Sequence, residues 1–371
     1  MTLFAPDYIR AIAPYQAGKP IGELAREYGI DPATIIKLAS NENPLGMPDS
    51  ARSAMIAVAG ELGRYPDPNG FELKDVLARR YNVPPEWITL GNGSNELLEL
   101  AAKALLSPGS SAVYAQYSFV VYALATQAIG ARSIVAAARD YGHDLVAMAA
   151  AIEPDTRLVF VANPNNPTGT FLAPEQVEAF LRQVPPTTVV VLDEAYNEYL
   201  PPELRHDSTP WLRQFPNLMI SRTFSKAYGL AGLRVGFSLA QPELTDLLNR
   251  VRPPFNVNSV AQAAAVAALG DAEFLQRTYE LNRRGIKQLE LAFDELGLEY
   301  VPSLGNFVLF KVGDAGAVNE SLLRAGIIVR PVAGYGLAQW LRVTVGLDDE
   351  NRAFLQALAG ALGAPVPGLA L

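Results

Sequence analysis

The sequence predicts an α/β fold: a mostly parallel central sheet sandwiched by helices, with a smaller α+β domain beside it. Three observations carry this. Short runs rich in Val and Ile alternate with helical stretches, the order of elements that builds a parallel-dominated sheet. Several of those runs are apolar throughout rather than at every second residue, as expected of strands covered on both faces. Past about Pro253 the alternation stops, and a long helical region gives way to a second group of strands.

Residues 1 to about 45 show no strong strand pattern and two turn-rich stretches, around Pro14 and around Asn41–Pro44. Strands are then expected at Ile88–Leu90, Ser111–Tyr114, Arg157–Ala162, Thr188–Leu192, Leu218–Ser221 and Val235–Leu239. Helix-like segments such as Asn95–Leu106, Tyr117–Gln127 and Pro174–Arg182 lie between them. Ser259 to about Leu296 reads as one helical region, and Asn306–Lys311, Ile327–Arg330 and Trp340–Val345 read as strands of a smaller sheet. The expected division is a large α/β domain over 46–253. Residues 1–45, as an N-terminal arm, join 254–371 in the small domain.

Composition narrows the function. Of 371 residues, 50% are hydrophobic and 18% charged, which fits a chain that buries a large core and excludes disorder as its main state. Thirty basic and 38 acidic residues leave a net charge of −8, which argues against a nucleic-acid partner. The absence of cysteine removes disulfides, thiolate nucleophiles and zinc-cysteine sites, and fits a reducing cytoplasm. With only His143 and His206, far apart, no metal site is expected, and each reads as a surface or loop residue. The N-terminal stretch carries Asp7 and two prolines where a signal peptide needs an apolar core. No apolar run approaches the roughly 18 residues that span a bilayer, so no membrane partner is expected.

Four clusters sit where strands end, the place where an open α/β sheet builds its ligand crevice. Gly91-Asn92-Gly93-Ser94-Asn95-Glu96 follows a strand and opens a helix, so its backbone amides suit an anion. A plain turn capped by Ser94 or Asn95 explains it equally well. Asn163-Pro164-Asn165-Asn166-Pro167-Thr168-Gly169 holds an amide side chain between two prolines, where it can bond a planar ligand. Asp193 follows four apolar residues, and a carboxylate there is costly unless it meets a cation. Glu194 beside it suggests an acid/base pair, although neighbours on an extended chain face opposite ways. In Ser221–Arg234, the hydroxyls of Thr223 and Ser225 and the guanidinium of Arg234 are the types that bind a phosphate dianion. Lys226, one of only seven lysines, stands among them. Desolvated beside cations, its amine becomes a nucleophile toward an aldehyde. Pyridoxal phosphate needs this set: a phosphate cradle, a lysine for the aldehyde, and an acid for the pyridine nitrogen. Asn166 and Tyr196 are placed to bond the ring hydroxyl.

From Tyr15 to Gly346 the chain resembles the class I/II aminotransferases of fold type I, the pyridoxal-phosphate-dependent transferases. Within them it is most similar to the histidinol-phosphate aminotransferase group. Leu38–Pro44, Arg64–Pro68, Asn163–Gly169, Asp193–Tyr196, Arg222–Arg234 and Leu341–Gly346 carry the resemblance, in order. It implies that Lys226 bonds the cofactor aldehyde and moves the substrate proton, that Asp193 pairs with the ring nitrogen, and that Asn166 and Tyr196 contact the ring oxygen. Tyr117 would stack on the ring. Gly93, Ser94, Asn95, Thr223, Ser225 and Arg234 would hold the phosphate, and Tyr65 would reach it from the second subunit of a homodimer with shared active sites. Arg342 would grip the substrate anion, with Arg330 and Tyr15 adding phosphate contacts. Ala115-Gln116-Tyr117 departs from the group's Pro-Thr-Tyr pattern, and Asn95 stands where an acidic residue is usual. The implied reaction converts histidinol phosphate and 2-oxoglutarate to imidazole acetol phosphate and glutamate, in histidine biosynthesis. An aromatic amino-acid aminotransferase and a phosphothreonine decarboxylase are the alternatives on this scaffold.

Overall fold

In the computed structural model, which describes residues 4–14 and 18–368, seven strands form the central sheet. They are β1 (Ile88–Gly91), β2 (Ser111–Ala115), β3 (Arg132–Ala136), β4 (Thr156–Ala162), β5 (Val189–Asp193), β6 (Leu218–Thr223) and β7 (Gly236–Ala240). Their spatial order is β1-β7-β6-β5-β4-β2-β3. β2 pairs in parallel with β3 and β4, as do β4 with β5 and β5 with β6. β7 runs antiparallel to both β6 and β1.

Successive strand side chains face opposite ways, and here both faces are dry. On one face Val113, Val161, Leu192 and Ile220 pack with Leu73, Phe180 and Ala264 of helices Phe71–Tyr81, Pro174–Leu181 and Ser259–Leu269. On the other, Tyr114, Phe160, Val191 and Met219 meet Leu97 and Tyr122 of helices Ser94–Leu105 and Val120–Ala128. Two covered faces are why these strands read as unbroken apolar runs. β3 escapes that pattern because it is an edge strand, with Arg132 and Val135 exposed.

A second sheet holds β8 (Tyr300–Val301), β9 (Phe307–Lys311), β10 (Arg330–Pro331) and β11 (Trp340–Thr344), all antiparallel in the order β8-β9-β11-β10. Its core joins Val308, Phe310 and Val343 to Phe293 and Phe354 of helices Ala272–Glu295 and Asp348–Leu362.

Three expectations change. The helical region 259–296 breaks at Gly270, where the Asp271 carboxylate accepts a 3.0 Å bond from Phe274 N and caps a new helix. The first half packs under the central sheet and the second covers the small one. The expected strand Ile327–Arg330 is split: Ile327–Ile328 pairs in parallel with Ile36–Lys37, while Arg330–Pro331 pairs with β11. Pro331 has no N–H to donate, which suits it to the sheet edge it occupies. Finally, His143 is buried rather than a surface residue. It ends the hairpin Ala138–Arg139/Gly142–His143 and accepts a 3.2 Å bond from Ala162 N, and burial lowers its pKa to about 4. A neutral imidazole closing the end of β4 is a packing element. His206 stays exposed and lies 4.7 Å from the Trp211 ring.

Candidate active site

The ends of β1, β4, β5 and β6 converge with the Leu38–Pro44 segment and the edge of the small sheet on one cavity of about 340 Å³. It gathers Ser94, Asn95, Asn166, Asp193, Tyr196, Thr223, Ser225, Lys226, Arg234, Arg330 and Arg342. A larger cleft of about 880 Å³, near His143 and Ser303, contains none of these.

The anion end is built by backbone shape. Gly93 precedes the Ser94–Leu105 helix at φ 80, and a Cβ there would lie 2.5 Å from a guanidinium nitrogen of Arg234. A Cβ on Gly236 would lie 2.6 Å from Ser94 N. Both glycines therefore let chain and cation close around the helix N-terminus, where unpaired N–H groups favour an anion. Arg234 donates to Ser225 Oγ at 3.3 Å, and Ser225 N donates to Thr223 Oγ1 at 3.1 Å. Neither Ser94 nor Asn95 caps the helix by its side chain. Glu96 accepts from Asn92 N and Asn256 Nδ2, each at 2.6 Å, which ties the turn to a distant loop.

Asp193 ends β5, 5% exposed. Tyr122 donates to its Oδ2 at 2.9 Å, and its Oδ1 is buried without a hydrogen-bond partner. Burial raises its pKa to about 6. Tyr122 is itself held by a stack on Phe160, centroids 4.6 Å apart. A fixed carboxylate with one unsatisfied oxygen calls for a cationic N–H donor, and a pyridinium nitrogen is such a group. Glu194 turns the other way: Arg222 pairs with it at 2.6 Å and Ser208 donates to it at 2.7 Å, both outside the cavity. The adjacent carboxylates are thus not an acid/base pair.

Lys226 Nζ donates to Ser40 O at 3.1 Å. Burial, reinforced by Arg342, lowers its pKa to about 8, so a neutral amine is accessible near neutral pH. Asn41 Nδ2 donates to Tyr196 Oη at 2.8 Å. Arg342 donates to Asn166 Oδ1 and, at 3.0 Å, to Ala39 O, with its guanidinium 5.1 Å from the Phe307 ring centre. Arg330 and Arg342 are register partners across β10 and β11, which turns both side chains to the same face.

Two expected side chains, those of Tyr117 and Tyr65, do not line this cavity. Tyr117 takes left-handed backbone at φ 57, and its ring lies 5.9 Å from Tyr141, beside Trp340 and Leu337. Phe119 lines the cavity instead. Tyr65 is 81% exposed and stacks on Phe255 at 4.6 Å. Tyr15 lies outside the described residues. Sequence reasoning also passed over Tyr122, hidden among valines, and gave no role to Ser40 or Asn41, although the Leu38–Pro44 motif contained both.

Comparison with known proteins agrees with this geometry. The family model for aminotransferase class I and II matches residues 33–358. Histidinol-phosphate aminotransferase 1 of Cupriavidus pinatubonensis is 69% identical, over 97% of this chain and 96% of its own length. Histidinol-phosphate aminotransferase 2 of Ralstonia nicotianae is 66% identical over 97% of each. The crystal structure of the Sinorhizobium meliloti histidinol-phosphate aminotransferase in complex with pyridoxal-5'-phosphate superposes with a TM-score of 0.89, at 30% identity and 98% coverage of both chains. A Thermus thermophilus aspartate aminotransferase, at 23% identity and a TM-score of 0.84, shares the fold. The chain belongs to the aminotransferase class I and II family, as a fold type I enzyme whose cofactor is pyridoxal 5'-phosphate.

Proposed function

We propose that this enzyme transfers the amino group of histidinol phosphate to 2-oxoglutarate, giving imidazole acetol phosphate and glutamate, as a step of histidine biosynthesis. The observation that carries the choice of substrate is the Arg330–Arg342 pair. Two guanidinium groups on one face of β10 and β11 border the cavity that holds Lys226. Two bidentate cations suit a phosphate dianion better than a single carboxylate.

When bound, pyridoxal phosphate supplies an electron sink for the pair left on the substrate α-carbon. The chain does the rest. The Gly93–Asn95 turn, Thr223, Ser225 and Arg234 hold the phosphate. Asp193 Oδ1 would accept from the ring nitrogen, and Tyr196 and Asn166 would bond the ring oxygen. Phe119 would offer the ring an aromatic face. Lys226 Nζ, its charge disfavoured by burial, takes the proton from the substrate α-carbon.

The same reading includes a cytoplasmic homodimer in which Tyr65 of a second copy completes the phosphate site. Its support is the exposed apolar surface around Tyr65, where Phe71 is 76% and Leu62 54% exposed. It also includes a large domain ending near Gly270, with the N-terminal arm and the remaining C-terminal part forming the small domain.

The test is kcat/KM for histidinol phosphate and for phenylalanine, each against 2-oxoglutarate. A clear preference for histidinol phosphate is expected. A preference for phenylalanine would make the aromatic enzyme the better reading.

A further inference from the structure

Asn41 is 1% exposed and sits at φ 55, a left-handed conformation that few residues other than glycine tolerate. Strain of this kind persists where surrounding contacts over-determine it, and four hydrogen bonds do so here. Asn41 N donates to Thr344 Oγ1 at 2.9 Å, and Thr344 Oγ1 donates to Asn41 Oδ1 at 3.2 Å. Asn306 Nδ2 donates to Asn41 O at 3.0 Å, and Asn41 Nδ2 donates to Tyr196 Oη at 2.8 Å.

The chain of donors and acceptors starts from one group that cannot reverse. A backbone N–H only donates, so Thr344 Oγ1 must accept from Asn41 N. Its own proton goes to Asn41 Oδ1, and the Asn41 NH₂ on the other side of the amide donates to Tyr196. Tyr196 Oη therefore accepts from the protein, and its proton is left for the cavity that it lines.

We propose that Asn41, oriented by Thr344, is a positioning residue that fixes the polarity of Tyr196, so that its hydroxyl donates to the cofactor ring oxygen rather than accepting or turning away. This rests on the cavity holding the pyridoxal ring. It adds to that reading a one-way relay from the small-sheet strand carrying Arg342 to the ring oxygen. A donor at that oxygen draws off negative charge and makes the cofactor-bound lysine nitrogen less basic.

The readout is the pH midpoint of the bound cofactor's visible absorption change, measured for wild type, Tyr196→Phe, Asn41→Gly, Asn41→Asp and the doubles with Tyr196→Phe. Asn41→Gly accepts the left-handed backbone, so it keeps the loop while removing the amide. Asn41→Asp keeps the shape but presents an acceptor to Tyr196, drawing the hydroxyl proton away from the ring. Asp193, Lys226, Tyr335 and Arg342 also face Tyr196, and all four stay in place in every variant.

Tyr196→Phe should raise the midpoint by about one pH unit, Asn41→Asp by a similar amount, and Asn41→Gly by less. Each Asn41 variant should add little once Tyr196 is Phe. If Tyr196→Phe moves the midpoint and neither Asn41 variant does, the relay is overturned while the assignment of Tyr196 stands. Additive shifts in the doubles also overturn it, because Asn41 would then act independently of Tyr196. A midpoint unmoved by Tyr196→Phe overturns both.

Discussion

Replacing Asp193 by Asn should make the cofactor-free protein more stable and the enzyme nearly inactive. The carboxyl titrates near 6 in the fold against 3.8 for an unperturbed side chain, because burial outweighs the Tyr122 bond. A gap of about two units corresponds to ~3 kcal/mol. The sign is set by which state ionises first. Below about pH 4 the carboxyl is mostly protonated in both states and contributes no penalty. As pH rises, the unfolded chain ionises first and stability falls. Above about pH 6 the whole ~3 kcal/mol opposes folding. Asparagine keeps an oxygen for Tyr122 and has no charge to bury, so the variant should melt about 4 °C higher at neutral pH for a chain of this length. That gain should fade as pH falls toward 4. His143 also titrates in this range, but it is common to both proteins and cancels in the difference. With cofactor that advantage shrinks or disappears. The charge-assisted bond to the ring nitrogen is lost, weakening affinity by about 1.5–3 kcal/mol, and kcat should fall by several orders of magnitude because the ring nitrogen is no longer kept protonated. Thermal melts of cofactor-free and loaded protein between about pH 4 and 8, with kcat, decide it. A cofactor-free variant no more stable than wild type, or a gain that persists unchanged at low pH, would refute the reasoning.

Lys226→Ala should bind pyridoxal phosphate without a borohydride-reducible bond and lose transamination; reductive fixation of the cofactor through another lysine would show the assignment to be wrong. Phe119→Ala should weaken cofactor affinity about tenfold, the scale of one lost aromatic contact, while Tyr117→Ala should leave it nearly unchanged, as a cofactor titration of both variants will show. Arg330→Ala should raise KM for histidinol phosphate by the equivalent of about 2–5 kcal/mol, much of it from phosphate oxygens left unpaired. Its effect on 2-oxoglutarate should be far smaller, whereas Arg342→Ala should weaken every substrate; equal losses across substrates for Arg330→Ala would remove the case for a phosphate.

The large domain was legible because a strand buried on both faces leaves an apolar run, and chemistry at its end stands out against it. Asp193 and Lys226 announced themselves as charges where burial is costly. What stayed hidden depended on backbone angles and on partners distant in the chain. Tyr117 and Phe119 are both aromatic and adjacent to the same strand end, and only the positive φ at Tyr117 sends its ring out toward Tyr141. Tyr122 reads as one more apolar residue of a helix until Asp193 is brought against its hydroxyl. The break at Gly270 looks like helix in composition, since the alanines before it and the charged residues after it both favour that state. Asn41 could not be assigned a role from its motif because all its partners lie far along the chain.

The Asn41–Thr344 bond joins residues 303 positions apart, and Gly229, in the turn after Lys226, lies so close to Gly46 that a Cβ would sit 1.9 Å from its carbonyl oxygen. The two jaws of the site therefore close at different moments of folding. The seven strands and the phosphate turn draw on the chain between Ile88 and Ala240 and can organise once Ser259–Leu269 is available to cover their second face. Arg342 and the Asn41 latch wait for the last strand, since contacts of such long range form slowly and late. A ribosome-bound chain that has exposed only its central sheet would offer a place for a phosphate with no means of reading a substrate. The cofactor can then arrive before the enzyme is able to use it, and its grip on the phosphate turn would steady the half-built chain on which the small sheet has still to dock.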